Sequence, residues 1–236
     1  MCNSHQSPYP VRIDYDNPPR HKRDPFHAWL VEGAEFAGPM DMPVLEPVHV
    51  DPAELIAFSD AKKSKRGNRN AFVHFFEDDA AIQCFWNRPR AYLDMLLWYK
   101  GALGNDLSVS YDAPAAIKYY NYYRNAACTY WLQKQGVTVV PQARCEPDNA
   151  EVVLVGFPKD STIAIGARSM VSNVDDRIVL KESVRIIADF LSPRNILWYG
   201  SLEYGVADYL VMKGIPIHVY PAKGRGDLSH HKPGGR

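Results

Sequence analysis

Asn195-Ile196-Leu197-Trp198-Tyr199-Gly200-Ser201 is the stretch on which the fold turns. From Ile196 to Tyr199 no charged residue interrupts, so a strand here has no polar face and is covered on both sides. Glycine ends the run, and a helical pattern over Tyr204–Met212 leads to a second apolar run, Ile215–Val219. Working upstream, Val137-Thr138-Val139-Val140 has the same character. Further strands are predicted at Phe72–Phe76, Ala102–Val109, Val152–Val155 and Thr162–Ile165, and helices at Asp79–Trp86, Pro89–Tyr99, Ala113–Gln135 and Val179–Leu191. Such alternation predicts a single α/β domain with a mainly parallel sheet flanked by helices. Pattern alone leaves two closures open, an open doubly wound sheet and an incomplete barrel.

Outside that region the composition changes. Nine of the 18 prolines fall within residues 1–52, and residues 1–25 combine them with Asn, Asp, Lys and Arg. Too little apolar surface is available there to offset ordering entropy, so an extended N-terminal arm is expected. Asp51-Pro52-Ala53-Glu54 carries an N-cap and a first-turn proline and predicts a short helix through about Phe58. Residues 222–236 are glycine-rich and basic and are expected to form a flexible tail. The domain is therefore placed at 26–221.

Lys+Arg 27 against Asp+Glu 27 excludes a whole-chain polyelectrolyte, so any nucleic-acid contact must be local. Lys62, Lys63, Lys65, Arg66 and Arg69 put five cations in eight positions and are the candidate phosphate-contacting loop. No apolar run reaches the 18 residues of a membrane span, and no basic segment followed by an apolar one marks a signal peptide. A soluble protein of the reducing cytoplasm is expected. Cys2, Cys84, Cys128 and Cys145 form no CxxC pair and lack His at ligand spacing, which argues against a zinc site.

Parallel α/β folds bind ligands beyond the carboxyl ends of their strands. Glu77, Asp78 and Asp79 follow one predicted strand and Asp106 and Ser108 follow the next. Paired carboxylates there would divide acid and base roles or hold Mg²⁺, the only cofactor suggested. Asp79 and Asp112 also precede helices and read as caps, whereas Asp106 has no capping duty and is the best acid candidate. Arg144 and Arg168 follow neighbouring strands and form a candidate fork for phosphate or carboxylate. Ser201 lies in a weak anion-binding turn, and Tyr111 belongs to the same set of strand-end candidates. The helix Ala113–Gln135 carries Tyr119, Tyr120, Tyr122 and Tyr123, which cover more than one face. With Arg124 beside Tyr120, this helix offers stacking equipment for a base.

The succession Met42-Pro43-Val44-Leu45, Val73-His74-Phe75-Phe76-Glu77-Asp78-Asp79, Phe85-Trp86-Asn87-Arg88-Pro89, Asp106-Leu107-Ser108, Tyr120-Asn121-Tyr122-Tyr123-Arg124-Asn125, Gln133-Lys134-Gln135-Gly136-Val137 and Val140-Pro141 resembles the phage and mobile-element family called domain of unknown function 4417. The resemblance runs from about Met42 to Pro221 and implies a phage or mobile-element origin, without an activity to carry over. Positions matching its motif are Asp106, Ser108, Pro114, Arg124, Gln133, Gly136 and Pro141; Asn105 and Cys145 depart from it.

Two functions remain in view. One is binding, with or without processing, of a nucleotide or nucleic acid through Asp106, Arg124 and Arg144. The other is a non-catalytic phage accessory protein that binds or inhibits a host factor through the arm and the aromatic surface.

Overall fold

Residues 5–6, 24, 26–64, 68–110, 112–168 and 170–222 are described by the computed structural model. Most of the expected arm, nearly all of the tail, and Tyr111, Lys65 and Arg66 lie outside these residues. An antiparallel sheet of β1 (His5–Gln6), β2 (Glu35–Ala37) and β3 (Met42–Pro43) precedes the main body. Then follow β4 (Leu55–Ala57), α1 (Phe58–Lys63), β5 (Phe72–His74), α2 (Asp79–Asn87), α3 (Leu93–Trp98), β6 (Gly101–Leu103), α4 (Ala115–Lys134) and β7 (Val139–Val140). The chain continues through α5 (Ala150–Val153), β8 (Thr162–Gly166), α6 (Val174–Leu191), β9 (Asn195–Tyr199), α7 (Asp208–Met212) and β10 (Ile217–Tyr220).

The parallel ladder runs β4-β5-β6-β7 and, separately, β8-β9-β10. A parallel bridge between Gln142 and Ala164 joins the two, with the Ala143 amide donating to the Ala164 carbonyl at 2.9 Å. Strand order therefore follows chain order from β4 to β10. A doubly wound sheet reverses its order at a switch point; this one never does, so of the two closures left open the incomplete barrel is the one adopted. Phe72, Phe76, Leu103, Val140, Ala164, Leu197 and Tyr199, drawn from five strands or their ends, meet in one interior cluster. Among the described residues no backbone ladder joins β10 to β4. Side chains span that gap instead: the Tyr220 hydroxyl donates to the Pro52 carbonyl, and His218 Nδ1 lies 2.8 Å from Asp51 Oδ1.

Strand β9 explains why its sequence is apolar throughout. Ile196 and Trp198 pack outward under the helices, while Leu197 and Tyr199 face the barrel interior. Complete burial of residues this large contributes roughly 2–3 kcal/mol each. The amino ends of β8 and β9 are covered by Val48–Val50, whose backbone meets Ser161, Thr162 and Asn195. Polar coverage of that end leaves the carboxyl end as the open one.

Four local expectations are corrected. Val152–Val155 is not a strand: Val153 lies at the end of α5, and burial of Val153 and Leu154 outweighs β-branched propensity. The capping signal at Asp51 does not open a helix, because Leu55–Ala57 pairs in parallel with Phe72–His74 and α1 starts only at Phe58. The expected strand Ala102–Val109 stops at Leu103, since the Leu107 backbone bonds to the Asn125 side chain rather than to a neighbouring strand. Tyr204–Met212 is interrupted, with Tyr204 at φ 63° and helix only from Asp208.

Candidate functional site

Asp106 is set in place by the segment that leaves β6. Asn125, on α4, takes hydrogen bonds at Oδ1 from Asn105 Nδ2 at 3.0 Å and from the Leu107 amide at 2.9 Å. Its own Nδ2 donates to the Leu107 carbonyl at 3.0 Å. One side chain thus replaces the ladder that a longer strand would have supplied, and the carboxyl group between Asn105 and Leu107 is fixed without a backbone partner.

The Asp106 side chain is 12% exposed, and its Oδ1 is buried without a hydrogen bond. Burial pushes its carboxyl up to about 6, Arg144 pulls it down, and Asp79 adds a smaller upward push. Arg144 Nη2 stands 3.5 Å from Oδ1, an attraction across a gap rather than a well-formed hydrogen bond. A carboxyl poised near neutrality, next to a cation, is equipped to give or take a proton.

Around it the carboxyl ends of β5 to β8 open on a cavity of about 460 Å³. Glu77, Asp78, Asp106, Ser108, Arg144 and Arg168 line it, with the Phe76 ring and Gly166 as its apolar part. Glycine is required at 166, because a Cβ there would lie 2.6 Å from the Phe76 ring. Phe76 stacks on Tyr199 at 5.1 Å, and His74 approaches Tyr199 at 4.5 Å, so the floor is aromatic. A second cavity, about 410 Å³, meets the first at Ser108, Arg144 and Gly166 and reaches between α4 and α6.

Polar residues at the mouth divide into those already engaged and those with capacity left. Ser108 donates from both its amide and its hydroxyl to Asp79 Oδ1, each at 2.9 Å. Asp79 therefore anchors Ser108 and makes no side-chain cap, as Asp112 makes none for α4. Glu77 accepts from the Ser59 amide at 2.9 Å and from its hydroxyl. Arg168 is exposed, and its side chain makes no ion pair or hydrogen bond with the described residues.

The remaining candidates lie elsewhere. Arg124 is buried on the flank of α4, donating to Gln83 at 2.8 Å and Asn121 at 3.0 Å between the rings of Trp86 and Tyr120. Tyr120 does not line either cavity. Ser201 accepts from the Glu203 amide at 3.0 Å, away from the cavity. Lys62 sits over Phe58 and donates to the Ala81 carbonyl, Lys63 is exposed, and Arg69 stacks on Trp98 at 3.4 Å. Phe76, Tyr122 and Glu146, which sequence reasoning did not single out as site residues, line the cavities. For Phe76 a signal existed, since the period-two spacing of Phe72, His74 and Phe76 puts all three on one strand face. Among the described residues no group of three or more His, Cys, Asp or Glu could hold a metal ion. Nor is any helix among them long and apolar enough to cross a membrane.

A family described as Domain of unknown function (DUF4417) matches residues 34–217, which includes every strand from β2 to β9 and both cavities. The chain belongs to this family. Among proteins similar to this chain, the "Gene 1 protein" of Mycobacterium phage L5 is 29% identical over 172 residues, 72% of this chain and 75% of that protein. The "Gene 1 protein" of Mycobacterium phage D29 is 30% identical over 166 residues, 70% of this chain and 62% of that protein. Both come from phages, so DUF4417 is phage-associated. No solved structure matches the chain.

Proposed function

We propose that the protein binds a nucleotide at the carboxyl end of the incomplete barrel and that Asp106 serves proton transfer on it. The observation that carries this reading is one cavity uniting Asp106, raised to about 6, with Arg144 and with Arg168, which has no partner among the described residues. Two guanidinium groups from neighbouring strand ends suit a phosphate, whose oxygens accept their paired N–H donors. The adjoining cavity supplies apolar wall from Val109, Ile165, Met170 and Leu180 for a ring. Asp106 stands between the two and next to Arg144, where a charge developing on the ligand would be felt most. A host-protein partner rests instead on the Pro-rich arm, most of which lies outside the described residues, and on the aromatic surface, where Tyr120 and Trp86 already pack around Arg124, so the cavity carries the reading.

Calorimetric titration of the full chain with nucleoside mono-, di- and triphosphates tests it. Arg144→Ala and Arg168→Ala are each expected to weaken binding roughly tenfold. Asp106→Asn is expected to retain binding while abolishing any conversion of the nucleotide seen by chromatography. Absence of binding by every nucleotide, or affinity unchanged in both arginine variants, would sink the reading.

A further inference from the structure

Beside the mouth, where the chain leaves β9, lies an exposed aromatic ledge that the nucleotide reading does not use. Gly200 follows β9 at φ 129°, and a Cβ there would lie 3.0 Å from the Arg168 amide nitrogen. Glycine thus lets the turn over residues 201–205 start against the strand end that carries Arg168. Tyr204, in that turn, is 55% exposed and holds φ 63°, a conformation that glycine adopts at less cost. The Arg177 guanidinium, on α6, lies 3.6 Å from the centre of its ring. Arg177 Nε donates to the Val171 carbonyl at 2.8 Å. Val171 is flanked by Met170, which lines the second cavity, and by Ser172, which lines the first. The ledge is therefore continuous with the mouth.

Its two main groups have capacity left. The Arg177 Nη groups make no hydrogen bond or ion pair with the described residues, and neither is a buried unsatisfied atom, so both reach solvent. The guanidinium covers one face of the Tyr204 ring while more than half of the residue is exposed, which leaves the other face open. Val174 and Ile178, one turn apart on α6, and Leu202, two residues before Tyr204, are exposed as well. Exposed apolar side chains alone would suit a protein equally. What selects a nucleic acid is an open ring face paired with free guanidinium donors, next to a cavity whose Arg144 and Arg168 suit a phosphate. Asp175 and Glu203 are exposed on the same ledge, so it is a short platform rather than a long basic track.

We infer that the nucleotide in the first cavity belongs to a single-stranded nucleic acid, whose neighbouring base stacks on Tyr204 and whose linking phosphate meets Arg177. This rests on the nucleotide reading above and narrows the ligand from a free nucleotide to a strand.

The test is calorimetric titration of the full chain with DNA and RNA dinucleotides phosphorylated at both ends. Each is compared with the nucleoside 3′,5′-bisphosphate and the 5′-monophosphate of the same base, in adenine, cytosine and thymine or uracil series. At least one dinucleotide is expected to bind roughly tenfold or more tightly than its bisphosphate. Tyr204→Gly, which suits the backbone at φ 63°, and, separately, Arg177→Ala are expected to cut that gain below about threefold while leaving bisphosphate affinity unchanged. Tyr204→Trp is expected to keep it. Arg177→Ala should also flatten the slope of log affinity against log salt concentration by about 0.7, one phosphate contact on a single strand, which a merely structural role would not do. Equal binding of dinucleotide and bisphosphate in every series, or a gain that survives either substitution, overturns this inference and leaves the nucleotide reading standing. Failure of every ligand to bind, the monophosphates included, overturns both. Should Arg177→Ala not fold, the wild-type comparison and Tyr204→Gly still decide.

Discussion

Arg124 and Arg168 are both arginines beside an aromatic-lined space, yet the fold engages one through two of its nitrogens and leaves the other at the mouth. Arg124 is 9% exposed, has two hydrogen-bonded partners on α2 and α4, and lies between two rings. Arg168 stands at the mouth with no such partner. The difference teaches that capacity to bind comes from donors the fold leaves unspent, and residue type alone does not reveal it. Arg124 spends donors of both Nη atoms on docking one helix to another, with its Nε buried and unbonded; the mouth keeps its own in reserve.

The largest effect is expected where the donors are spent. Arg124→Ala removes both hydrogen bonds and two ring contacts, and leaves the Gln83 and Asn121 carbonyl groups without their partner. Destabilisation of about 3 kcal/mol is expected in urea unfolding. Because Asn121 also donates to the Ser108 carbonyl at 2.7 Å, loosening should reach the mouth, read as weaker nucleotide binding by the folded variant. A loss below about 1 kcal/mol would break the comparison, since Arg124 would then be no more committed than Arg168.

Much of this arrangement was legible beforehand, and the rest failed for definable reasons. Ile196-Leu197-Trp198-Tyr199 announced a strand covered on both faces, and Asp106 stood out because no helix start needed it. The sequence also set Arg124 beside a run of tyrosines, but which way it points depends on where α2 docks, and Gln83 lies 41 residues away. Val152–Val155 looked like a strand because local propensity is silent about a hydrophobic floor that only β8 and α6 complete. The second cavity was least legible, since Tyr122, Glu146 and Leu180 come from separate parts of the chain and meet only when it is folded.

Asp106 tests the intermediate case, a group held in place but not satisfied. Its value rises from 3.8 to about 6 on folding, so between those values the folded chain keeps a proton that the unfolded chain has released. Stability from this group is present in full below the unfolded value of 3.8 and is lost as the pH climbs through about 6, by on the order of 3 kcal/mol. Asp106→Asn cannot ionise and should abolish that slope. Urea midpoints of wild type and variant are therefore expected to diverge in the variant's favour between pH 4 and 7. Parallel curves would place Asp106 among the groups already engaged by the fold, with Arg124.

The smallest effect is expected at Arg168, and it sharpens the comparison most. Arg168 is exposed and has no partner among the described residues for a substitution to remove, so Arg168→Ala should change unfolding free energy by less than about 0.5 kcal/mol. The same substitution is the one expected to weaken nucleotide binding roughly tenfold. Stability and binding are thus predicted to separate at Arg168 and to fall together at Arg124. Measuring both on both variants settles whether unspent donors distinguish the two regions: if Arg168→Ala lost stability in proportion to binding, its guanidinium would belong to the framework, and the mouth would hold Arg144 as its only available cation.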